Sequence, residues 1–417
     1  MRTHGATPLD QPTLNTDDRL AGHRLFFAVF VPLAVLFLVT ATWSPPYDAD
    51  TFTNAVTAHE LGTRGDVVLD RHEQLAQPNF QGVVSWIVEA RDSAASQYPP
   101  GAALLAAPLY AVWPGDSITW GRTVNDVPVV YEVPPIAPAA IAAALATAAG
   151  VAGLAMAMRR LLGSRDALIA AYAAALTTGI WSVAADKLWL HSGDVFYLGV
   201  GMWLSARHQL ASGLALGMAV ATRPHTLLIG VGAALGRALD VKSWRPAVRI
   251  GAVMAACVAG LIVFNAIVFD NPSITGGYRI RPGNVARGDS FSLFTNLWGG
   301  FFDLSRGLFP FSPFLVVLVP GLPAAWKRAP HWVRGAALGG LGYFLVQLAS
   351  NRFSGGSGFW GYRYPIEMLV AMTPLLALAY HEWVAPRARV NRVFMVLLAI
   401  SAAIHLAGAV RCAQYLC

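Results

Sequence analysis

The chain has 417 residues, of which 55% are hydrophobic and only 13% are charged. A soluble domain carries roughly 25% charged residues, and several uninterrupted apolar runs here reach about 20 residues, enough to cross a bilayer as helix. This composition excludes a soluble globular protein. The net charge of +7 reflects Lys and Arg in loops on one side of the membrane. No basic patch interleaved with aromatic residues is present, so we expect no nucleic-acid partner.

The first predicted membrane span covers about 24–43 and follows a polar tail, 1–23. Because this span lacks a small-x-small cleavage site, we expect a retained signal anchor with a cytoplasmic tail. A mixed-polarity segment, 44–135, follows the span and contains a short apolar helix at about 101–114. Pro99 and Pro100 favour the start of that helix, which we expect to lie at the membrane interface.

Apolar length predicts ten further spans, so we expect an all-α polytopic protein with about 11 transmembrane helices. Residues 24–417 would form one transmembrane domain, with the count least defined between 207 and 248. The ten spans are 136–158, 167–185, 193–206, 209–221, 225–236, 249–269, 308–326, 333–350, 365–383 and 393–410.

The distribution of Lys and Arg predicts the orientation of the chain. Four segments, 159–166, 237–249, 327–334 and 386–392, hold thirteen of these residues, whereas the short loops 186–192 and 351–364 hold three. Positively charged loops stay in the cytoplasm. The long polar segments 44–135, 270–307 and 351–364 should therefore lie on the outer, periplasmic face of the inner membrane, where we expect the active site.

An acidic pair, Asp48 and Asp50, stands directly after the first span. One interpretation is that these carboxylates cap a helix beginning near Thr51, where they would satisfy free backbone N–H groups. The other is functional: a general base whose pKa is raised by partial desolvation, or a pair of ligands for a divalent metal. The sequence leaves both interpretations open.

The residues after the acidic pair predict an amphipathic helix lying along the membrane. Phe52, Val56 and His59 recur near helical spacing, and Gly62 and Gly65 are natural helix stops. The large first outer loop would therefore carry interfacial helices.

Two further polar groups fall among the apolar runs. His191 and Asp194 are three residues apart and would share a helix face, either as ordinary loop residues or as substrate-binding groups. Arg223 stands between two short apolar segments beside Pro224. It would either line a cavity within the membrane or occupy a turn at the cytoplasmic edge.

Five segments together resemble the GT-C superfamily of membrane glycosyltransferases, which includes protein mannosyltransferases, lipid A aminoarabinose transferases and polyprenyl-phosphate-mannose transferases. They occur in the same order as in that superfamily across nearly the whole chain. The segments are SQYPPGAALLAAPLYAV (96–112), LWLHSGD (188–194), GLALGMAVATRPHTLL (213–228), SRGLFPFSPFLVVLVPGL (305–322) and GFWGYRYPIEMLV (358–370).

The resemblance implies an inverting transferase that takes a sugar from a polyprenyl-phosphate donor and gives it to a cell-envelope glycan, glycolipid or protein. Asp50 would be the general base and Asp48 its support. This chain has Asp50-Thr51 where many relatives show Asp-Glu, so the choice between the two carboxylates stays open. No cofactor is expected, although a divalent metal at Asp48 and Asp50 is the alternative.

The donor phosphate of such an enzyme needs cations, and arginine offers paired donors for it. The candidates are Arg279, Arg281, Arg363 and Arg306, whose alternative roles are solvated loop charges or interfacial anchors. Trp360, in the Gly-rich segment 354–361, would stack on a sugar ring from a mobile lid. The full set expected to bind substrate is His59, His191, Asp194, Tyr278, Trp360, Tyr362 and Tyr364.

A second function class is a transporter or flippase of a lipid-linked sugar. Many such proteins show two-fold repeat symmetry, which the sequence does not display. The sequence therefore favours the transferase.

Overall fold

The computed structural model describes residues 16–43, 49–75, 86–124, 127–279, 293–355 and 358–413. Most of these residues form α-helices. The first half has seven helices and two antiparallel hairpins, one on each side of the third helix. The elements of this half are α1 (Thr16–Thr40), α2 (Ala49–Arg64), β1 (Ile87–Glu89), β2 (Ala94–Ser96), α3 (Ala103–Val112), β3 (Ile118–Val124), β4 (Val127–Val133), α4 (Ala137–Leu176), α5 (Leu190–Leu204), α6 (Gln209–Val220) and α7 (Leu227–Asp240).

The described residues of the second half contain helices joined by loops, with no strand among them. Its helices are α8 (Arg245–Phe269), α9 (Leu293–Phe302), α10 (Leu308–Phe311), α11 (Phe314–Leu318), α12 (Leu322–Arg328), α13 (His331–Ser350), α14 (Ile366–Ala379) and α15 (Ala388–Ala413).

The chain is a membrane protein with four described helices that are individually long and apolar enough to cross a bilayer. They cover Gly22–Thr40, Ala137–Leu176, Arg245–Phe269 and Ala388–Arg411. Exposed apolar side chains on them, among them Phe27 and Ile267, give the surface that lipid would cover. The predicted total of about eleven spans stays a prediction.

Several predicted boundaries agree with the helices. The span expected at 136–158 corresponds to the first part of α4, which breaks at Gly163 with a φ of 79°, whereas the second part ends at Leu176, nine residues before the end expected at 185. The short helix predicted at 101–114 is α3, and the predicted stop of the helix after Asp50 is confirmed, because α2 ends at Arg64 and Gly65 adopts a φ of 70°.

Other parts of the fold differ from the all-α prediction. Two hairpins lie in the first loop, with Ile87 paired to Ser96 and Ile118 paired to Val133. The span expected at 308–326 is divided into α10, α11 and α12, because prolines at 313 and 320 remove backbone donors that a continuous helix needs. α9 forms inside the segment 270–307, which was predicted as a loop.

The helix α2 also differs from its predicted amphipathic form, because both of its faces are buried from Asp50 to Ala58. Phe52, Thr53, Asn54 and Val56 are each at most 1% exposed. The Asn54 side-chain amide donates to the backbone oxygen of Leu188, 3.0 Å away, at the entry to α5. α2 is therefore part of the packed interior rather than a helix resting on its surface.

Small residues let the central helices approach closely. A Cβ added to Gly150 of α4 would lie 2.3 Å from the backbone oxygen of Val195, and one added to Gly199 of α5 would lie 2.0 Å from that of Gly150. Such contacts permit the close helix packing that van der Waals forces favour in membranes. The start of α5 is thereby fixed against α4, close to the polar groups described next.

Candidate active site

Asp50 lies in the first turn of α2 and is 8% exposed. The Tyr98 hydroxyl donates a hydrogen bond of 2.7 Å to its Oδ1, and Nη1 of Arg363 donates to its Oδ2. Asp50 and Arg363 form an ion pair, although they are 313 positions apart in the chain. The structure thus brings the predicted general base against one of the predicted phosphate-binding arginines.

The electrostatic state of Asp50 differs from the sequence-based expectation. Burial raises the pKa of the Asp50 carboxyl, but the Arg363 guanidinium and the Tyr98 hydroxyl lower it by more, and Arg223 lowers it further. The result is a pKa below the ordinary value, not the raised value expected from desolvation alone. Asp50 is accordingly ionised at neutral pH and able to accept a proton.

Aromatic rings hold the Arg363 guanidinium in place. Its central carbon lies 4.8 Å from the ring centre of Trp189, 4.9 Å from that of Phe359 and 5.5 Å from that of Tyr364. Cation–π attraction orients the planar group, while its buried Nε has no hydrogen-bond partner among the described residues. This Nε is thus a buried donor that the described protein groups leave unsatisfied.

Two more cations gather at the same backbone segment. Nη1 of Arg306 donates to the backbone oxygen of Phe359 at 2.8 Å, and its guanidinium lies 4.6 Å from the Phe359 ring centre. Nζ of Lys187 lies 3.5 Å from the backbone oxygen of Gly358. Arg306, Arg363 and Lys187 therefore surround residues 358 and 359 with positive charge, an arrangement suited to a phosphate group.

A second buried polar cluster surrounds Arg223, at the break between α6 and α7. Nη1 of Arg223 donates to the Tyr343 hydroxyl and Nη2 donates to His191, both at 3.1 Å. Its Nε lies 3.6 Å from Asp194 and 3.5 Å from Glu367. Arg223 is thus buried among charged groups, and its predicted place beside a cavity within the membrane stays a prediction.

His191 links Arg223 to Glu367. Nδ1 of His191 lies 2.7 Å from Oε1 of Glu367, and its Nε2 lies 3.1 Å from Nη2 of Arg223. A guanidinium can only donate, so Nε2 must accept and Nδ1–H must donate to the carboxylate. His191 is therefore a neutral, fully engaged side chain that is 0% exposed, rather than a group with a free nitrogen for substrate.

The remaining predicted site residues fall into two groups. Tyr278 packs edge-on against Tyr98 with ring centres 5.8 Å apart, and Tyr362 packs against Tyr364 at 6.1 Å. The Tyr362 hydroxyl is buried and has no hydrogen-bond partner among the described residues. Tyr278 thus lies beside the Tyr98 ring that contacts Asp50, and Tyr364 lies against Arg363, whereas the Tyr362 ring packs on Phe344 of α13.

Trp360 and His59 lie elsewhere. The Trp360 ring packs edge-on against Phe311 of α10, and the guanidinium of Arg411 from α15 lies 5.3 Å from its centre. A chain in extended or turn conformation directs successive side chains apart, so Phe359, and not Trp360, faces Arg363. The predicted stacking of Trp360 on a sugar is therefore not supported.

His59 belongs to a separate cluster near the end of α2. Its Nδ1 lies 3.4 Å from Glu60, which also contacts Arg64 at 3.0 Å and His72 at 3.3 Å. Nine residues of helix separate His59 from Asp50, a rise of about 13 Å. The structure does not bring His59 to the Asp50 carboxylate.

Three predicted groups lie outside what the structure describes. Asp48 and Arg281 fall outside the described residues, and of Arg279 only the backbone, at the end of a short 3-10 turn, is described. No group of three or more His, Cys, Asp or Glu residues in the described ranges could hold a metal. Since both oxygens of Asp50 already accept hydrogen bonds, a metal there would compete with Arg363, and the Asp48–Asp50 pair stays a prediction.

Glu367, Tyr98 and Trp189 were absent from the predicted set. Glu367 carried a readable signal, because a carboxylate inside the apolar run 365–383 is expensive to bury without a function. The aromatic partners Tyr98 and Trp189 carried none, because their contact with Asp50 and Arg363 depends on the folding of distant segments.

Comparison with solved structures identifies the fold. ArnT from Cupriavidus metallidurans in the apo state is 18% identical to this chain, with a TM-score of 0.54, over 92% of this chain and 64% of ArnT. The chain has a GT-C fold. No family model and no curated protein sequence matches it.

Two other structures resemble this GT-C chain less closely. One is the same ArnT bound to undecaprenyl phosphate (19% identity, 91% of this chain and 63% of ArnT, TM-score 0.49). The other is the apo oligosaccharyltransferase of Archaeoglobus fulgidus (13% identity, 95% and 55%, TM-score 0.49). The chain spans less than two thirds of the length of each of these proteins.

Proposed function

We propose that this protein is an inverting glycosyltransferase that moves a sugar from a polyprenyl-phosphate donor to a cell-envelope acceptor on the outer face of the inner membrane. The observation that carries the proposal is the buried contact of Asp50 with Arg363, inside a GT-C fold. A base and a phosphate-binding cation side by side are what a displacement at a sugar phosphate requires.

The reaction would be a single displacement. The acceptor oxygen attacks the anomeric carbon, its proton passes to the Asp50 carboxylate, and the bond from that carbon to the phosphate oxygen breaks. The leaving group is polyprenyl phosphate, whose developing negative charge Arg363, Arg306 and Lys187 would stabilise. Nη1 of Arg363 donates to Asp50, so the phosphate would contact another nitrogen of the same guanidinium.

The acceptor is a glycan, glycolipid or protein of the cell envelope. Its hydroxyl must reach the carboxylate from the side that Tyr98 and Arg363 leave open, and Tyr278 and Tyr364, the rings that contact Tyr98 and Arg363, would offer aromatic surfaces for a sugar. Lipid-linked donors suit this location because nucleotide sugars are scarce outside the cytoplasm.

The decisive experiment measures release of undecaprenyl phosphate, a product common to every donor sugar. Purified protein in nanodiscs is given a panel of undecaprenyl-phosphate sugars with envelope extract as acceptor. For Asp50→Asn we expect a fall of at least about 10²-fold, because removing a general base costs 10²–10⁴-fold.

The matched control is Asp66→Asn, the same chemical change at an exposed carboxylate beyond the end of α2. We expect normal release from it. Normal release by Asp50→Asn would refute the proposal. Movement of lipid-linked sugar across vesicles without any covalent product would favour the transporter class instead.

A further inference from the structure

His191 has no part in the proposed displacement, yet it is among the most constrained side chains of the described structure. Both ring nitrogens are engaged, one by the Glu367 carboxylate at 2.7 Å and one by the Arg223 guanidinium at 3.1 Å. A buried hydrogen bond to a charged group contributes more than a neutral one. Two such bonds on one uncharged ring form a rigid link between three elements.

His191 and Glu367 each lie close in the chain to a residue of the Arg363 site. His191 stands two residues after Trp189, the ring on which the Arg363 guanidinium lies. Glu367 stands four residues after Arg363, in the first turn of α14. The bond between His191 and Glu367 therefore joins the segment that carries the aromatic platform to the segment that carries the arginine.

Arg223 holds the other side of the link. It contacts Tyr343 of α13 as well as His191, so it connects the break between α6 and α7 with α13 and α5. Arg223, Glu367 and Asp194 are all buried, which prevents water from replacing these bonds.

We propose that His191, held between Glu367 and Arg223, is a positioning residue that keeps Arg363 against Trp189 and Asp50. This inference rests on the proposed function, because it takes Arg363 as a phosphate-binding group. Displacing a catalytic group by about 1 Å costs roughly 10²-fold in rate, so a residue that fixes Arg363 controls the site without touching substrate.

The test is a double-mutant cycle on the binding of undecaprenyl phosphate, measured by thermophoresis on full-length protein in detergent. Arg363→Gln and His191→Phe should each weaken binding about tenfold, as expected for loss of a charge-assisted hydrogen bond. The double variant should bind within about twofold of Arg363→Gln, because residues that act through one another are not additive.

A conservative variant separates positioning from general packing. The side-chain amide of His191→Asn can still donate to Glu367, so this variant should bind within about threefold of the unchanged protein. His405→Phe, at a buried histidine whose ring nitrogens lie within hydrogen-bond distance of Ser182 and Ser312, should leave binding unchanged while lowering stability. Glu367→Met removes the acceptor at the other end of the bond and should reproduce the tenfold loss if His191→Phe does not fold.

Three outcomes overturn the inference. Unchanged binding by folded His191→Phe or Glu367→Met would remove the positioning role and leave the proposed function standing. Multiplying effects in the double variant would show that His191 acts independently of Arg363. Unchanged binding by Arg363→Gln would overturn the phosphate role of Arg363, and with it both the inference and that part of the proposed function.

Discussion

His191 and His405 are both buried histidines with both ring nitrogens engaged, but their partners differ. His405 lies 2.8 Å from the Ser182 hydroxyl and 3.3 Å from that of Ser312. A neutral ring has one N–H, so it donates to one of these hydroxyls and accepts from the other. The hydroxyl that accepts from the ring can donate to its own backbone neighbour, the oxygen of Trp360 for Ser182 or that of Thr177 for Ser312. His191 instead joins a guanidinium to a carboxylate.

The surroundings of the two rings differ in the same way. Around His405 the neutral groups satisfy one another, as in most protein interiors. Around His191 several buried charged atoms have no hydrogen-bond partner among the described residues: both carboxylate oxygens of Asp194, Oε2 of Glu367 and Nε of Arg223. Buried charge that is only partly satisfied is costly, so its retention marks a functional region more reliably than burial does.

Among the variants that compare the charged cluster with the neutral one, Arg363→Met should have the largest effect on stability and on transfer. Removing one partner of a buried ion pair leaves Asp50 uncompensated, which should cost about 3–5 kcal/mol of unfolding free energy and abolish transfer. Denaturant unfolding of the purified protein and release of undecaprenyl phosphate measure the two effects.

The double variant Asp50→Asn with Arg363→Met provides the control. Because it removes both charges, its stability should return to within about 1–2 kcal/mol of the original while transfer stays absent. Recovery of activity in this variant would contradict a catalytic role for the pair.

His405→Phe should have a smaller and purely structural effect. Losing two hydrogen bonds to hydroxyls that keep their backbone acceptors should lower the unfolding free energy by about 1–3 kcal/mol. The transfer rate of the folded fraction should stay within about twofold. A loss of rate comparable to that of His191→Phe would erase the difference between the two histidines.

The sequence predicted the two sides of the reacting pair but not their contact. Asp50 and Arg363 carried local signals, a carboxylate after a span and an arginine between tyrosines. Their pairing depends on how α2 packs against the start of α14, which no local pattern encodes. Glu367 carried a signal as a carboxylate in an apolar run.

The short elements of the segments 44–135 and 308–326 escaped prediction for a related reason. The hairpin of Ile87–Glu89 and Ala94–Ser96 has three residues in each strand, too few for a period-2 pattern to stand out. The span expected at 308–326 was taken as continuous because its hydrophobicity outweighed its prolines. Hydropathy alone thus does not predict the local geometry of an apolar segment.

Tyr98→Phe should shift the pH dependence of transfer. The Tyr98 hydroxyl helps to hold the pKa of Asp50 below its ordinary value, so its removal should raise that pKa and move the acid limb of kcat/KM to higher pH. Ionised Asp50 stabilises the folded protein, and this stabilisation is lost as the pH falls through the folded-state pKa of Asp50. Because that pKa is higher in Tyr98→Phe, the variant should lose the stabilisation at a higher pH than the unchanged protein.

A matched control for this shift is Tyr110→Phe, which removes a buried hydroxyl that donates to the backbone oxygen of Pro135 at 2.7 Å. It should lower stability without moving the acid limb. An acid limb that stays in place in Tyr98→Phe would argue that Asp50 is not the group whose ionisation controls the rate.

The smallest effects are expected at Phe359 and Trp360, two adjacent aromatic residues that face different neighbours. Phe359 lies under both Arg306 and Arg363, so Phe359→Leu should weaken undecaprenyl phosphate binding several-fold through the loss of cation–π contacts worth about 0.5–2 kcal/mol each. Trp360→Leu should change binding less than about twofold, because its ring packs on α10 and α15. If Trp360→Leu weakened binding more than Phe359→Leu, the phosphate-binding site would extend toward α15, and the residues around His405 would have a role in binding as well as in stability.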